Sequence, residues 1–134
     1  MLYFAYGSNL QHFQMKRRCK DSFFLKKINI KNFRLTFRSN YRAADIEPKK
    51  NCNVPGALFE ISKSDEKKLD IYEDYPILYK KYYFLYYGKK VMTYTMTKKT
   101  LFMYPTTRYL NIVKRGYKDC KLDNKYLKKA IIDR

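Results

Sequence analysis

The sequence predicts an α+β domain: a small mixed β-barrel with short helices packed around it. Three observations lead there. Apolar and aromatic runs with a period of two recur along the chain and are broken by helical patterns. Two adjacent aromatic or β-branched runs, residues 79–87 and 91–97, flank Gly88-Lys89-Lys90. They form a hairpin whose bulky residues fall on both faces, as in a barrel wall. The length of 134 residues, 46% of them apolar, suits one domain over 1–134 with a real core. Neither an internal repeat nor a linker divides it.

Residues 2–6 are apolar or aromatic and read as a short buried strand. Gly7-Ser8-Asn9 breaks it, and a helical pattern starts near Leu10. A strand passing through a small polar loop into a helix leaves N–H groups unpaired at the helix's positive end, which suits an anionic guest. Gly7 permits close approach, and Ser8 and Asn9 add short polar side chains. The same residues also make an ordinary turn with Ser8 or Asn9 as N-cap. The helix carrying Leu10, Phe13 and Met15 ends in Lys16-Arg17-Arg18, cations that complement its dipole. After Phe23-Phe24-Leu25, the apolar residues Ile28, Ile30, Phe33, Leu35 and Phe37 mostly alternate with polar ones, as in a half-buried strand. Residues 39–55 read as the longest irregular stretch, a lid or an edge loop.

Residues 56–61 read as a strand. Ser62, with Asp65 three residues later, has the form of a capping box. The helix it opens stops before Pro76. At about 100° per residue, Glu73 lies about 40° from Leu69. With Leu69 and Tyr72 inward, Glu73 falls near the core side while Lys67 and Lys68 face out. Tyr72 and Tyr75 flank Glu73, and a carboxylate beside aromatic rings loses hydration, which raises its pKa towards neutrality. That suits a general acid/base. The alternative for the same residues is an exposed glutamate at a helix end. Pro105 stops the sheet, and Thr106 or Thr107 caps the next helix. Tyr109, Ile112, Val113, Gly116 and Cys120 share one face of it, and a glycine there implies close packing against another backbone. Asp123 caps a last helix over 126–132.

The net charge is +18, from 30 Lys and Arg against 12 Asp and Glu. Such a charge permits nucleic acid, an anionic membrane surface or acidic small molecules as partners. The cations come mostly as scattered doublets such as Lys49-Lys50 and Lys128-Lys129, the pattern of a solvated face. A nucleic-acid partner is therefore not expected. Cys19, Cys52 and Cys120 are odd in number and far apart, which fits reduced thiols in a cytoplasmic protein better than disulfides or a zinc site. His12 is the single histidine, so metal sites and nucleophilic catalysis built on histidine are set aside. No apolar run approaches the roughly 20 residues of a membrane span. The start lacks the pattern of a signal peptide. No membrane partner is expected.

These stretches together resemble the γ-glutamylcyclotransferase family from end to end. The opening Tyr3-Phe4-Ala5-Tyr6-Gly7-Ser8-Asn9-Leu10 looks like the family's substrate loop. Ala44-Asp45-Ile46-Glu47-Pro48 with Val54-Pro55-Gly56-Ala57-Leu58-Phe59-Glu60-Ile61 resembles its middle loop and strand. Leu69-Asp70-Ile71-Tyr72-Glu73 is similar to the stretch bearing its catalytic glutamate, and Tyr104-Pro105-Thr106-Thr107-Arg108-Tyr109 to the entry of its C-terminal helices. The resemblance implies Glu73 as general acid/base. It implies that Tyr3, Phe4, Ala5, Tyr6, Gly7, Ser8, Asn9, Leu10 and Tyr109 bind substrate, with no metal or organic cofactor. The expected reaction releases 5-oxoproline and a free amine from a small γ-glutamyl compound. Oligomeric state stays open, a homodimer included. Two departures stand out: Asp74 where the family often has glycine, and Thr106 in place of serine. Two other classes remain as alternatives: a catalytically silent scaffold, and a basic single-stranded nucleic-acid binder stacking bases on Tyr82, Tyr83, Phe84, Tyr86 and Tyr87. The second leaves the joint presence of Gly7-Ser8-Asn9, Glu73 and Tyr109 unexplained.

Overall fold

The chain begins with β1 (Leu2–Ala5), a 3-10 turn (Ser8–Leu10) and α1 (His12–Arg18). A long hairpin, β2 (Phe23–Arg38) and β3 (Ala43–Glu60), leads into α2 (Lys63–Tyr72). A second hairpin, β4 (Tyr79–Tyr86) and β5 (Lys89–Met96), precedes α3 (Thr107–Asp119) and α4 (Asn124–Ile132). This computed structural model describes residues 1–132. The strands make one mixed sheet in the order β2-β3-β1-β5-β4. β1 is antiparallel to β3 and parallel to β5, and each hairpin is antiparallel.

The α+β class stands, but the barrel does not close. Among the described residues no ladder joins β2 to β4, the two outer strands. The sheet curls until side chains bridge them instead: the rings of Phe33 and Tyr82 come within 5.5 Å, and Lys26 Nζ lies 5.5 Å from the Tyr86 ring. The aromatic run of β4 is thus an edge strand rather than a wall covered on both faces. Tyr82, Tyr83, Leu85 and Tyr87 are exposed. The hairpin turn is tighter than expected, Tyr87-Gly88 alone, both with positive φ as a type I′ turn requires.

Residues 39–55 are not an irregular stretch. Only the turn before Ala43 is irregular, and residues 43–55 belong to β3, paired with β2. Pro48 and Pro55 are tolerated because β1 pairs β3 only at residues 57–60, leaving the other side of the ribbon free. A register shift between Lys31 and Phe33 breaks the alternation, with Asn32 and Asn51 both at positive φ and Asn51 N–H donating to Asn32 Oδ1 at 3.1 Å.

The helices pack as their sequences direct. Asp65 N–H donates to Ser62 Oγ at 3.0 Å and Ser62 N–H to Asp65 Oδ2 at 3.2 Å, completing the capping box of α2. Thr106 caps α3, accepting from Tyr109 N–H at 3.2 Å. The deep face of α3 is Leu110, Val113, Gly116 and Tyr117, with Tyr109 and Ile112 only half-buried. Gly116 meets the 3-10 turn: a Cβ there would stand 2.4 Å from Leu10 Cβ and 2.7 Å from Gln11 N. Since the obstacle is main chain, Gly116→Ala should lower stability by about 1–3 kcal/mol, read as a shift in the urea midpoint at constant slope. An unchanged midpoint would refute the close contact.

Candidate active site

β1 ends at Ala5, and the chain then turns through Tyr6 and Gly7 into the 3-10 turn at Ser8. Beside this exit lies a cavity of about 500 Å³. Its floor is buried and mostly aromatic: Tyr3, Tyr6, Tyr79, Thr93 and Tyr94. Gly7, Ser8, Asn9, Ala44 and Tyr109 form one side, and Glu73 another. Tyr41, Ile71, Tyr72 and Asp74 make an exposed rim. Of the residues expected to bind substrate, Tyr3, Tyr6, Gly7, Ser8, Asn9 and Tyr109 line the cavity. Phe4, Ala5 and Leu10 do not. Phe4 is fully buried against the Phe84 ring at 5.7 Å, Ala5 pairs with Ala57 in the ladder, and Leu10 lies under Gly116. A contiguous motif mixes cavity residues with core residues because a strand sends neighbouring side chains to opposite faces.

Ser8 and Asn9 are not N-caps; neither helix start carries a side-chain cap. Their side chains meet Arg18 instead, whose Nη1 donates to Asn9 Oδ1 at 2.5 Å and to Ser8 Oγ at 3.0 Å. Asn9 Nδ2 in turn donates to Tyr3 Oη at 3.0 Å. The Arg18 guanidinium also stacks on the Tyr72 ring, 3.4 Å from its centroid. From the sequence Arg18 is one of three cations ending a short helix. Its tie to the loop is a tertiary contact that no local spacing announces.

Gly7 owes its place to contact. A Cβ there would lie 3.1 Å from Tyr109 Oη and 3.2 Å from Ala44 Cβ. Ala44 is held from both sides: its N–H donates to Tyr109 Oη at 3.1 Å, and its carbonyl accepts from Tyr79 Oη at 2.7 Å. Burial pushes the pKa of both phenols up, so both stay protonated. Tyr109 Oη accepts one bond and keeps its own proton to donate. Next to Ala44, the fully buried Asp45 is held by Met96 N–H, Arg38 and Lys99.

Glu73 caps the C-terminus of α2. The chain leaves by a Schellman turn: Tyr75 N–H donates to the Asp70 carbonyl at 2.9 Å and Asp74 N–H to the Ile71 carbonyl at 3.1 Å. The turn sets Glu73 on the cavity wall. Leu69 is buried as expected, but Tyr72 is 46% exposed, so Glu73 rather than Tyr72 is the inward residue of that turn. Burial raises Glu73 from 4.5 to about 7, against the Arg18 charge that lowers it. The neighbouring Asp74 plays no part in that shift. Burial also raises the phenols of Tyr3, Tyr79, Tyr94 and Tyr109 around Glu73, so these stay protonated.

The carboxylates divide sharply by surroundings. Asp45, Glu47, Glu60, Glu66, Asp70 and Asp119 have ion pairs, and Asp21, Asp65 and Asp123 accept hydrogen bonds. Glu73 and Asp74 have neither among the described residues, and both line the cavity. Asp70 shows the contrast: it accepts from Tyr94 Oη at 2.6 Å and pairs with Lys81. Among the described residues no group of three or more His, Cys, Asp or Glu side chains is placed to hold a metal ion. No helix there is long and apolar enough to cross a membrane.

A mixed sheet with a polar loop at the end of its central strand, facing an unpaired glutamate across an aromatic cavity, makes a candidate site whose one raised carboxyl can exchange a proton near neutrality. The chain belongs to the family described as gamma-glutamyl cyclotransferase, AIG2-like, whose profile matches residues 3–117. Solved structures agree in fold. One named gamma-glutamyl cyclotransferase superposes with a TM-score of 0.79 at 24% identity, covering 97% of this chain and 85% of that one. An uncharacterized protein from Homo sapiens gives 0.75 at 25% identity, over 96% and 85%. YkqA from Bacillus subtilis gives 0.78 at 20% identity, over 96% of this chain and 52% of its own. No curated protein matches the sequence.

The raised pKa of Glu73 makes a stability prediction. The unfolded chain ionises this carboxyl near 4.5 and the folded chain near 7, so stability falls as pH rises through that window and stays reduced above it. Glu73→Gln should therefore melt higher than the wild type at about pH 8, and the gap should close below about pH 4.5. A gap independent of pH would contradict the shift.

Proposed function

We propose that the protein cyclises a γ-glutamyl compound, releasing 5-oxoproline and a free amine or amino acid. One observation carries the reading: the Glu73 carboxylate faces a ligand-sized cavity with no protein partner, and burial brings its pKa to about 7. A group so placed is half ionised near neutrality and can both take and return a proton.

The substrate brings its own nucleophile. Glu73 takes a proton from the α-ammonium, and the freed amine attacks the γ-carbonyl carbon. A C–N bond forms and closes a five-membered ring, while the carbonyl π pair moves onto oxygen. Collapse of that tetrahedral centre breaks the original amide C–N bond as the proton passes from Glu73 to the leaving nitrogen, while the ring nitrogen gives up its second proton, which leaves with the departing amine as an ammonium. Ring closure is intramolecular, so holding the folded conformer supplies several kcal/mol of the barrier reduction. Tyr109 has the donor needed at the γ-carbonyl oxygen, where charge develops. The N–H groups opening the 3-10 turn, with Arg18 behind Ser8 and Asn9, offer a positive end for the α-carboxylate. The buried tyrosine floor excludes water from the reacting carbonyl.

The test is 5-oxoproline release from γ-glutamyl-alanine, glutathione and γ-glutamyl-ε-lysine side by side. Glu73→Gln keeps the shape and should cut turnover by at least about 10²-fold on whichever compound is used. For the wild type, kcat/KM should rise with pH to a plateau above about 7, the limb belonging to Glu73. Near-normal turnover in Glu73→Gln would remove this residue from the chemistry.

A further inference from the structure

We propose that Asp74 is a specificity residue that selects a γ-glutamyl conjugate whose leaving amine carries a second positive charge at the end of a short aliphatic stem. The inference rests on the cyclisation reading above and adds the substrate's outer half. Two residues of the cavity wall are charged, and both are acidic, in a chain whose net charge is +18. With so many cations available, the other described carboxylates have partners, whereas these two adjacent ones have none. Glu73 answers to the α-ammonium. Asp74, one residue on and exposed at the rim, answers to a cation farther out.

The backbone leaves the Asp74 side chain free for this role, as a similar turn after α3 carries Lys121 at φ 58°. Asp74 stands at the left-handed position of the Schellman turn, with φ 51°. Glycine fills that position with least strain. All the hydrogen bonds of the turn are main-chain: Asp74 donates to Ile71, and its carbonyl accepts from Ile77 and Leu78. The Asp74 side chain contributes nothing to the turn, so what it supplies is a charge at the cavity mouth. Tyr41 and Ile71 at the rim and the half-buried Leu78 below are apolar or aromatic and suit a methylene stem. The chain's overall positive charge does not cancel this preference. Ionic strength screens distant cations over about 8 Å, while a carboxylate in contact is screened far less.

Three substrates of matched length test it: γ-glutamyl-diaminobutane (cationic end), γ-glutamyl-n-pentylamine (uncharged) and γ-glutamyl-aminovalerate (anionic). Each is assayed for 5-oxoproline release with wild type, Asp74→Asn and Asp74→Gly. The wild type should prefer the cationic over the uncharged compound by about tenfold in kcat/KM, equivalent to about 1.4 kcal/mol. Both variants should bring that ratio to about one, and Asp74→Gly should also melt higher, so misfolding cannot imitate the result. A merely structural role would lower all three rates together and leave the ratio. Turnover without a charge preference, or a preference that survives both variants, overturns the role of Asp74 and leaves the cyclisation reading standing. Release from none of the compounds above by the wild type overturns both.

Discussion

Four residues hold the two hairpins in one sheet. β1 is the middle strand of five, and among the described residues the ladders joining β2–β3 to β4–β5 all run through it. Strands of this position are covered on both faces, which explains why Leu2-Tyr3-Phe4-Ala5 is apolar throughout and why Phe4 and Ala5 are core. Side chains reinforce the junction: Thr93 Oγ1 donates to the Phe4 carbonyl at 2.7 Å and Tyr6 Oη to the Tyr94 carbonyl at 2.6 Å. The strand that organises the sheet is also the one that ends in the Gly7-Ser8-Asn9 loop. Candidate site and scaffold therefore share a single anchor.

Around that anchor the cavity is tied by polar contacts from every quarter of the chain. Ala44 of β3 is gripped by Tyr109 of α3 and Tyr79 of β4, with Gly7 pressed against the same pair. Arg18 of α1 joins Ser8, Asn9 and the Tyr72 ring of α2. Tyrosine suits this work because one ring both fills core volume and carries a hydroxyl to a buried main-chain group. The abundance of tyrosine, 15 residues, has here a structural use besides its surface display on β4.

Local features of the chain were legible in the sequence, and long-range pairings were not. The capping box at Ser62 and Asp65, the Thr106 cap, the close contact of Gly116 and the burial of Glu73 all follow from spacing within one or two turns. β3 was hidden because Pro48, Lys49-Lys50 and Asn51 interrupt its alternation, and pairing with β2 overrides the local preferences. The open sheet is hidden for a similar reason: aromatic residues on both faces of β4 look like a buried wall, but an edge strand can leave one face wet. Arg18 and the tyrosines 79 and 94 escaped notice because their roles depend on partners far along the chain.

The turn at Glu73 and Asp74 brings two local costs together at the cavity wall. Raising a carboxyl from 4.5 to about 7 corresponds to roughly 3 kcal/mol of lost stability above neutrality, less whatever solvent at the cavity mouth recovers. A non-glycine residue in the left-handed region adds about 1 kcal/mol. A chain with 30 Lys and Arg side chains has ready means to relieve the first cost, as it does for Asp45, Glu47 and Asp70. Glycine would relieve the second. Neither remedy is applied at the one place where two carboxylates open onto a cavity. Unrelieved local cost beside a ligand-sized space is what the proposed cyclisation, with Glu73 as its base and Asp74 at its mouth, would require.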